Sequence, residues 1–111
     1  MSLVTRIEQE LKEARLARDE PRRDALSLLL SALRSAEKEL QRALSDDESL
    51  QVLQRERKRR AEAAEAFRAG GREEQAAGEE YELEVLAAFM PEPLSEEKLE
   101  EIIDDVMAEV G

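Results

Sequence analysis

Apolar residues recur every three or four positions along most of the chain, and this spacing predicts amphipathic helices. Short polar stretches, or stretches containing glycine or proline, separate the helical segments from one another. Each segment carries an apolar stripe opposite a charged face, as expected of helices that surround a shared core. The predicted fold is therefore an all-α, compact bundle of four to five helices with short turns. The helical segments cover residues 2–18, 21–43, 46–69, 72–90 and 96–110.

Local signals fix several of the predicted helix ends. Ser45, followed three residues later by Glu48, is typical of a capping box at the start of the third helix. Gly70 and Gly71 follow that helix and predict a structural turn, because glycine readily adopts the left-handed conformation that ends many helices. The prolines at 91 and 93 end the fourth helix in the same way that Pro21 separates the first two.

The pattern divides the chain into two unequal parts. We expect residues 1–93 to form an N-terminal helical domain and residues 94–111 to form the first helix of a C-terminal tail domain. The last apolar stripe comes immediately before the final residue, where no later segment remains to cover it. We therefore expect either that this helix docks on the others or that the natural protein continues, with the tail domain truncated here.

The composition excludes most catalytic and metal-binding chemistry. The chain has no His and no Cys, which removes imidazole bases, thiolate nucleophiles and the commonest metal ligands. Seven carboxylates crowd residues 96–110, but amphipathic spacing places them on a solvated face rather than around one cation. The sequence thus predicts no catalytic residue, no metal site and no cofactor. The polar N-terminal segment and the lack of a long apolar stretch favour a soluble protein in the cytoplasm.

Charge is distributed unevenly in this acidic chain. The net charge is −11, yet residues 1–60 contain 14 basic and 12 acidic side chains. The segment RERKRR, residues 55–60, holds five cations. The favoured interpretation is a solvated helix face that exposed Glu56–Arg60 and Lys58–Glu62 pairs stabilise. The alternative is a surface that contacts phosphate or an acidic partner. The candidate contact residues are Arg55, Lys58, Arg59, Arg60 and Arg72.

Two charged residues lie within predicted apolar stripes. Arg57 falls on the apolar side of the third helix, and Glu82 on that of the fourth. If these helices form an antiparallel hairpin, Glu82 comes within about one turn of Arg57 and Arg60, so an ion pair from Glu82 to one of them is predicted. Arg72 stands at a helix start, where a cation is unfavourable. We therefore expect a contact to hold Arg72, with a neighbouring Glu favoured over a partner.

Several segments, in order and with their spacing, together resemble the YqeY family, whose members are also described as GatB/YqeY-domain proteins. The resemblance runs through nearly the whole chain. The basic helix ending in Phe67, the Gly-Arg turn and the restart at 91–95 carry it most strongly. The matching segments are ALSLLLSALRSAEKE, LSDDESLQVLQRERKRRAEAAEAF, AGGREE and YELEVLAAFMPEPLSEEKLEEII.

The resemblance implies a helical domain followed by a short tail related to the C-terminal region of the B subunit of aminoacyl-tRNA amidotransferase. That enzyme is a carbon–nitrogen ligase with glutamine as amido donor, and its tail region contributes to tRNA recognition. Stand-alone relatives carry no such catalytic domains, so no catalytic residue transfers. This chain departs from the family at Ser27 and Ser35, where Arg and Asn are frequent, and at Arg57, where an aliphatic residue is common.

These considerations predict a tRNA-associated accessory or binding module linked to amidotransferase function. The expected partner is tRNA or an amidotransferase-related protein, and no membrane is involved. A second hypothesis is a protein–protein interaction module, whose acidic fourth and fifth helices meet a basic partner without any RNA. A third is an enzyme subunit that is active only within a complex. The net charge favours a protein partner, whereas the resemblance favours RNA.

Overall fold

Four helices form the part of the chain that this computed structural model describes, residues 1–91. They are α1 (Leu3–Leu16), α2 (Glu20–Leu40), α3 (Asp46–Ala69) and α4 (Glu73–Ala87). No strand occurs among these residues, so the predicted all-α class is confirmed. The predicted fifth helix, the domain boundary at 93/94 and the acidic segment 96–110 lie outside the described residues.

Side-chain caps start three of the helices. The Ser45 hydroxyl accepts from the Glu48 backbone N–H at 3.2 Å, and the Glu48 carboxylate accepts from the Ser45 backbone N–H at 3.0 Å. The predicted capping box is thereby confirmed. The Ser2 hydroxyl caps α1 by accepting from the Thr5 backbone N–H. The Asp19 carboxylate caps α2, so this helix starts one residue before the predicted position at Pro21.

Three helices end in the same hydrogen-bonded turn, in which one residue is left-handed. At the end of α3, Gly71 has a φ of 77°, as the glycine pair predicts. Arg18 after α1 and Gln41 after α2 adopt the same conformation, with φ values of 58° and 56°. Helices α1 and α2 therefore end before the predicted positions 18 and 43. Neither Arg18 nor Gln41 is the glycine that usually marks this turn, so no local signal in the sequence indicated it.

The helices pack as two hairpins. The most extensive packing lies between α3 and α4, followed by that between α1 and α2, and α2 also contacts α3 and α4. Apolar faces of all four helices meet in one core, which Phe89 completes after the end of α4. No helix within residues 1–91 is long and apolar enough to cross a membrane. The fully buried large apolar side chains are Ile7, Leu26, Leu33, Leu53 and Leu86.

Candidate nucleic-acid interface

Helix α3 divides the basic segment 55–60 between an inner side and an outer side. Its buried positions include Val52, Leu53 and Ala64. One turn separates Val52 from Glu56 and Glu56 from Arg60, so these two charged side chains lie along the inner stripe and are only partly exposed. The prediction that Arg57 lies within the apolar stripe was wrong, since Arg57 is exposed. The stripe was predicted about one position out of register.

Arg60 lies among three carboxylates between α3 and α4. Its guanidinium nitrogens are 3.5 Å from Glu56, 3.4 Å from Glu79 and 3.3 Å from Glu82. The side chain of Arg60 is 22% exposed, and those of the three carboxylates are 12–24% exposed. Of the two arginines considered as partners of Glu82, the structure thus brings Arg60 to it. The Glu56–Arg60 pair exists, but it is largely buried rather than exposed.

One arginine does not balance three carboxylates in this interface. Burial raises the pKa of Glu82, Arg60 opposes that rise, and the neighbouring Glu79 and Glu56 add to it. Oε2 of Glu82 is buried and accepts no hydrogen bond from residues 1–91, although it faces Arg60 Nε. No group of three or more carboxylates in this part of the chain is arranged to hold a metal ion. The three carboxylates and Arg60 form the α3–α4 cluster. Because all the ion pairs that Arg60 forms with residues 1–91 lie within this cluster, its guanidinium is held away from the outer face of α3.

The outer side of α3 retains exposed cations. Arg55, Arg57 and Lys58 are exposed, and none forms an ion pair with another residue of the described 1–91 segment. The predicted Lys58–Glu62 pair is consequently not formed. Arg59 lies 3.6 Å from Glu56, but its side chain is 75% exposed. Four exposed cations of this segment can thus contact an anionic ligand, while Glu56 is turned inward; they are Arg55, Arg57, Lys58 and Arg59.

Two of these cations also line a groove between α2 and α3. The groove has a volume of about 310 Å³, and its lining is largely polar. Arg55 and Arg59 form the α3 wall together with Val52 and Glu56. The α2 wall consists of Ala32, Ser35, Ala36 and Glu39. No signal within α2 marks these four residues as part of a site, because only the tertiary pairing of α2 with α3 brings them beside the basic segment.

Near the turn between α3 and α4, the arginine that forms ion pairs with the described part of the chain is Arg68 and not Arg72, for which the sequence predicted a contact. Arg72 is exposed and makes no side-chain cap, and no ion pair joins it to residues 1–91. The expected contact of Arg72 with a neighbouring Glu is absent there. Arg68 instead pairs with Glu73 at 3.1 Å and with Glu80. Its position in the last turn of α3, where the helix dipole favours a cation, was the available signal.

A comparison with known protein families gives one clear result. The family model described as "Yqey-like protein" matches residues 4–111, which is nearly the whole chain. No match was found among curated proteins. The family match includes the complete basic helix, the groove and the Gly-Arg turn.

Proposed function

Because the chain belongs to the YqeY family, we propose that it is a tRNA-associated accessory or binding module linked to glutamine-dependent tRNA amidotransferase. The module binds and does not catalyse. Its ligand surface is the outer side of α3, formed by Arg55, Lys58 and Arg59. The surface also includes Arg57, which the sequence placed inside the apolar stripe and which is exposed in the structure. Arg60 is removed from the proposed contact surface, since three carboxylates already surround it.

The observation that carries the proposal is the exposure of four cations on one helix of an acidic chain. In a protein with a net charge of −11, the simplest solvated helix face would pair its cations with nearby carboxylates. Three of these four instead form no ion pair within residues 1–91. Unpaired guanidinium and ammonium groups are suited to phosphate contacts, which position a nucleic acid without reading its sequence.

Few phosphate contacts predict weak binding that depends strongly on salt. Each phosphate neutralised on a duplex contributes about −0.9 to the slope of log affinity against log salt concentration. If Arg55, Lys58 and Arg59 each neutralise one phosphate, these three contacts give a slope of about −2.7, so affinity should fall roughly 40-fold between 50 and 200 mM salt. The acidic remainder of the chain adds repulsion, which lowers affinity further at low salt.

The test is a titration of labelled bulk tRNA with the 111-residue protein at these two salt concentrations. The binding variant is Arg55→Glu/Lys58→Glu/Arg59→Glu. The matched control is Lys12→Glu/Arg15→Glu/Lys38→Glu, which changes the net charge equally at exposed positions on α1 and α2. The proposal expects that only the α3 variant abolishes salt-sensitive binding.

Other outcomes redirect the assignment. Equal losses in both variants would show that net charge, rather than the α3 surface, governs binding. Binding by a longer protein that survives the α3 reversal would place the site beyond Gly111. Absence of tRNA binding at low salt would overturn the proposal and favour the protein-interaction hypothesis, which the three exposed carboxylates of α4, Glu73, Glu74 and Glu84, support.

A further inference from the structure

We propose that the groove between α2 and α3 selects RNA over DNA, with Glu39 accepting a hydrogen bond from a ribose 2′-hydroxyl while Arg55 and Arg59 hold an adjacent phosphate. This inference rests on the proposed function and assigns a role to the α2 wall, which that function leaves unused. The groove thereby becomes the part of the surface that recognises the kind of nucleic acid.

The groove is lined by equal numbers of positive and negative side chains. Two arginines, Arg55 and Arg59, face two carboxylates, Glu39 and Glu56, within one cleft. A surface that bound phosphate alone would gain from omitting the carboxylates, because each repels the anion. A mixed lining is instead complementary to a ligand that offers an acceptor and a donor close together. A phosphate and its neighbouring 2′-hydroxyl provide that combination in the RNA backbone.

The two carboxylates are not equivalent, and only one is available. Glu56 is 12% exposed and already lies within 3.6 Å of both Arg59 and Arg60. Glu39 is exposed and forms no ion pair with the residues of the described segment, 1–91. An ionised carboxylate has only acceptor sites, so Glu39 can satisfy a hydroxyl or amino donor but no phosphate oxygen.

The chemistry of the two nucleic-acid backbones then decides the selectivity. The 2′-hydroxyl is both donor and acceptor, and it is the group through which a protein distinguishes RNA from DNA at a given site. The deoxyribose backbone of DNA offers no donor. Glu39 would then repel the DNA phosphates, and no hydrogen bond would offset that repulsion. Ser35, on the same wall, adds a hydroxyl that can donate to the phosphate or to the 2′ oxygen.

The experiment measures the ratio of dissociation constants for DNA and RNA of one sequence. A tRNA transcript and its all-deoxy copy are titrated with the wild-type protein, with Glu39→Ala and with Glu13→Ala. Glu13 is an exposed carboxylate on α1 without an ion pair in residues 1–91, so its removal controls for the lost negative charge. Circular dichroism confirms that each variant retains its helices.

A single hydrogen bond to a charged group predicts a ratio of at least about ten for the wild type. In Glu39→Ala the ratio should fall toward one, with tighter binding of DNA, whereas Glu13→Ala should keep the wild-type ratio. A wild-type ratio near one, or a ratio unchanged by Glu39→Ala, would overturn the RNA selectivity while leaving tRNA binding intact. Failure of the wild type to bind either nucleic acid would overturn the proposed function and this inference with it.

Discussion

Replacement of Arg60 by methionine would remove the cation that Glu56, Glu79 and Glu82 share between α3 and α4, while keeping an unbranched side chain. Methionine favours helices and fills irregular space, so the local packing changes little. The variant leaves Glu56, Glu79 and Glu82 facing one another across the interface. The expected result is a loss of folding stability that comes from uncompensated negative charge.

The size of the loss follows from the burial of the cluster. Removing one partner of a fully buried ion pair costs about 3–5 kcal/mol, whereas an exposed pair contributes about 0.2–1 kcal/mol. Side chains that are 12–24% exposed and nitrogen–oxygen distances of 3.3–3.5 Å place this cluster between those limits. We therefore expect Arg60→Met to lower the free energy of unfolding by about 2–3 kcal/mol, which corresponds to a decrease in Tm of roughly 10 °C.

The loss should also depend on pH. Burial already raises the folded-state pKa of Glu82, and removal of Arg60 raises it further, because an opposing charge disappears. A carboxyl with a raised folded-state pKa stabilises the protein fully below its unfolded pKa. That contribution is lost as the pH rises through the folded pKa. Arg60→Met should thus be most destabilising at pH 7, and part of the stability should return on acidification toward pH 5.

Urea unfolding followed by circular dichroism at pH 7 and pH 5 measures both effects. Lys58→Met is the matched control, since Lys58 lies two residues away on the exposed side of α3 and has no ion pair within residues 1–91. Its stability should change by less than about 0.5 kcal/mol. A loss for Arg60→Met that is equally small, or one of the same size at both pH values, would refute the electrostatic reasoning. The double variant Arg60→Met/Glu82→Gln should recover part of the loss.

Four further predictions concern helix ends and the α4 glycine. Gly78→Ala should raise the free energy of unfolding by up to about 1 kcal/mol, because a Cβ there meets no atom within 4 Å. Gly71→Ala should lower it by about 1 kcal/mol, since φ is 77° at that position. Arg18→Gly should raise the thermal midpoint slightly, as glycine relieves the left-handed strain; a clear decrease would contradict this. Arg42 and the Ser45 N–H lower the pKa of Glu48 to about 2, so its contribution to stability should persist above pH 4.5 and vanish as the pH approaches 2. Between pH 4.5 and pH 2 the urea midpoint should therefore fall less in Glu48→Gln than in the wild type.

The sequence predicts helix starts better than helix ends, and the reason lies in the side chains. The start of α3 depends on a reciprocal contact between Ser45 and Glu48, which are three residues apart and fully visible in the sequence. The ends of α1 and α2 depend on backbone hydrogen bonds around Arg18 and Gln41. Neither residue prefers the left-handed conformation, so no local signal marked these turns. At Gly71 the same turn carries its usual residue, and the prediction was correct.

The candidate site shows a similar division between local and tertiary information. The sequence locates the cations of α3 because they are consecutive. Which of them face inward depends on the phase of the helix. The predicted stripe of Leu50, Leu53, Ala61 and Ala64 includes the exposed Ala61 and omits the buried Val52, so its centre lies about one position from the observed one. That error exchanged the environments of Arg57 and Glu56. Glu39 belongs to the groove only through the packing of α2 against α3, which no spacing within one helix can encode.

Glu56 connects the exposed surface to the buried cluster, and this connection bears on any charge-reversal experiment. It lies 3.6 Å from Arg59 on the surface and 3.5 Å from Arg60 inside. Reversal of Arg59 places a carboxylate beside Glu56 and adds negative charge to a cluster that already has an excess. The expected cost is small, about 1 kcal/mol or less, because Arg59 is largely exposed.

Arg55 and Lys58 lack this link, so Arg55→Glu/Lys58→Glu should weaken tRNA binding without changing the urea midpoint. If the triple reversal alone loses both binding and stability, the effect at Arg59 belongs to folding rather than to recognition.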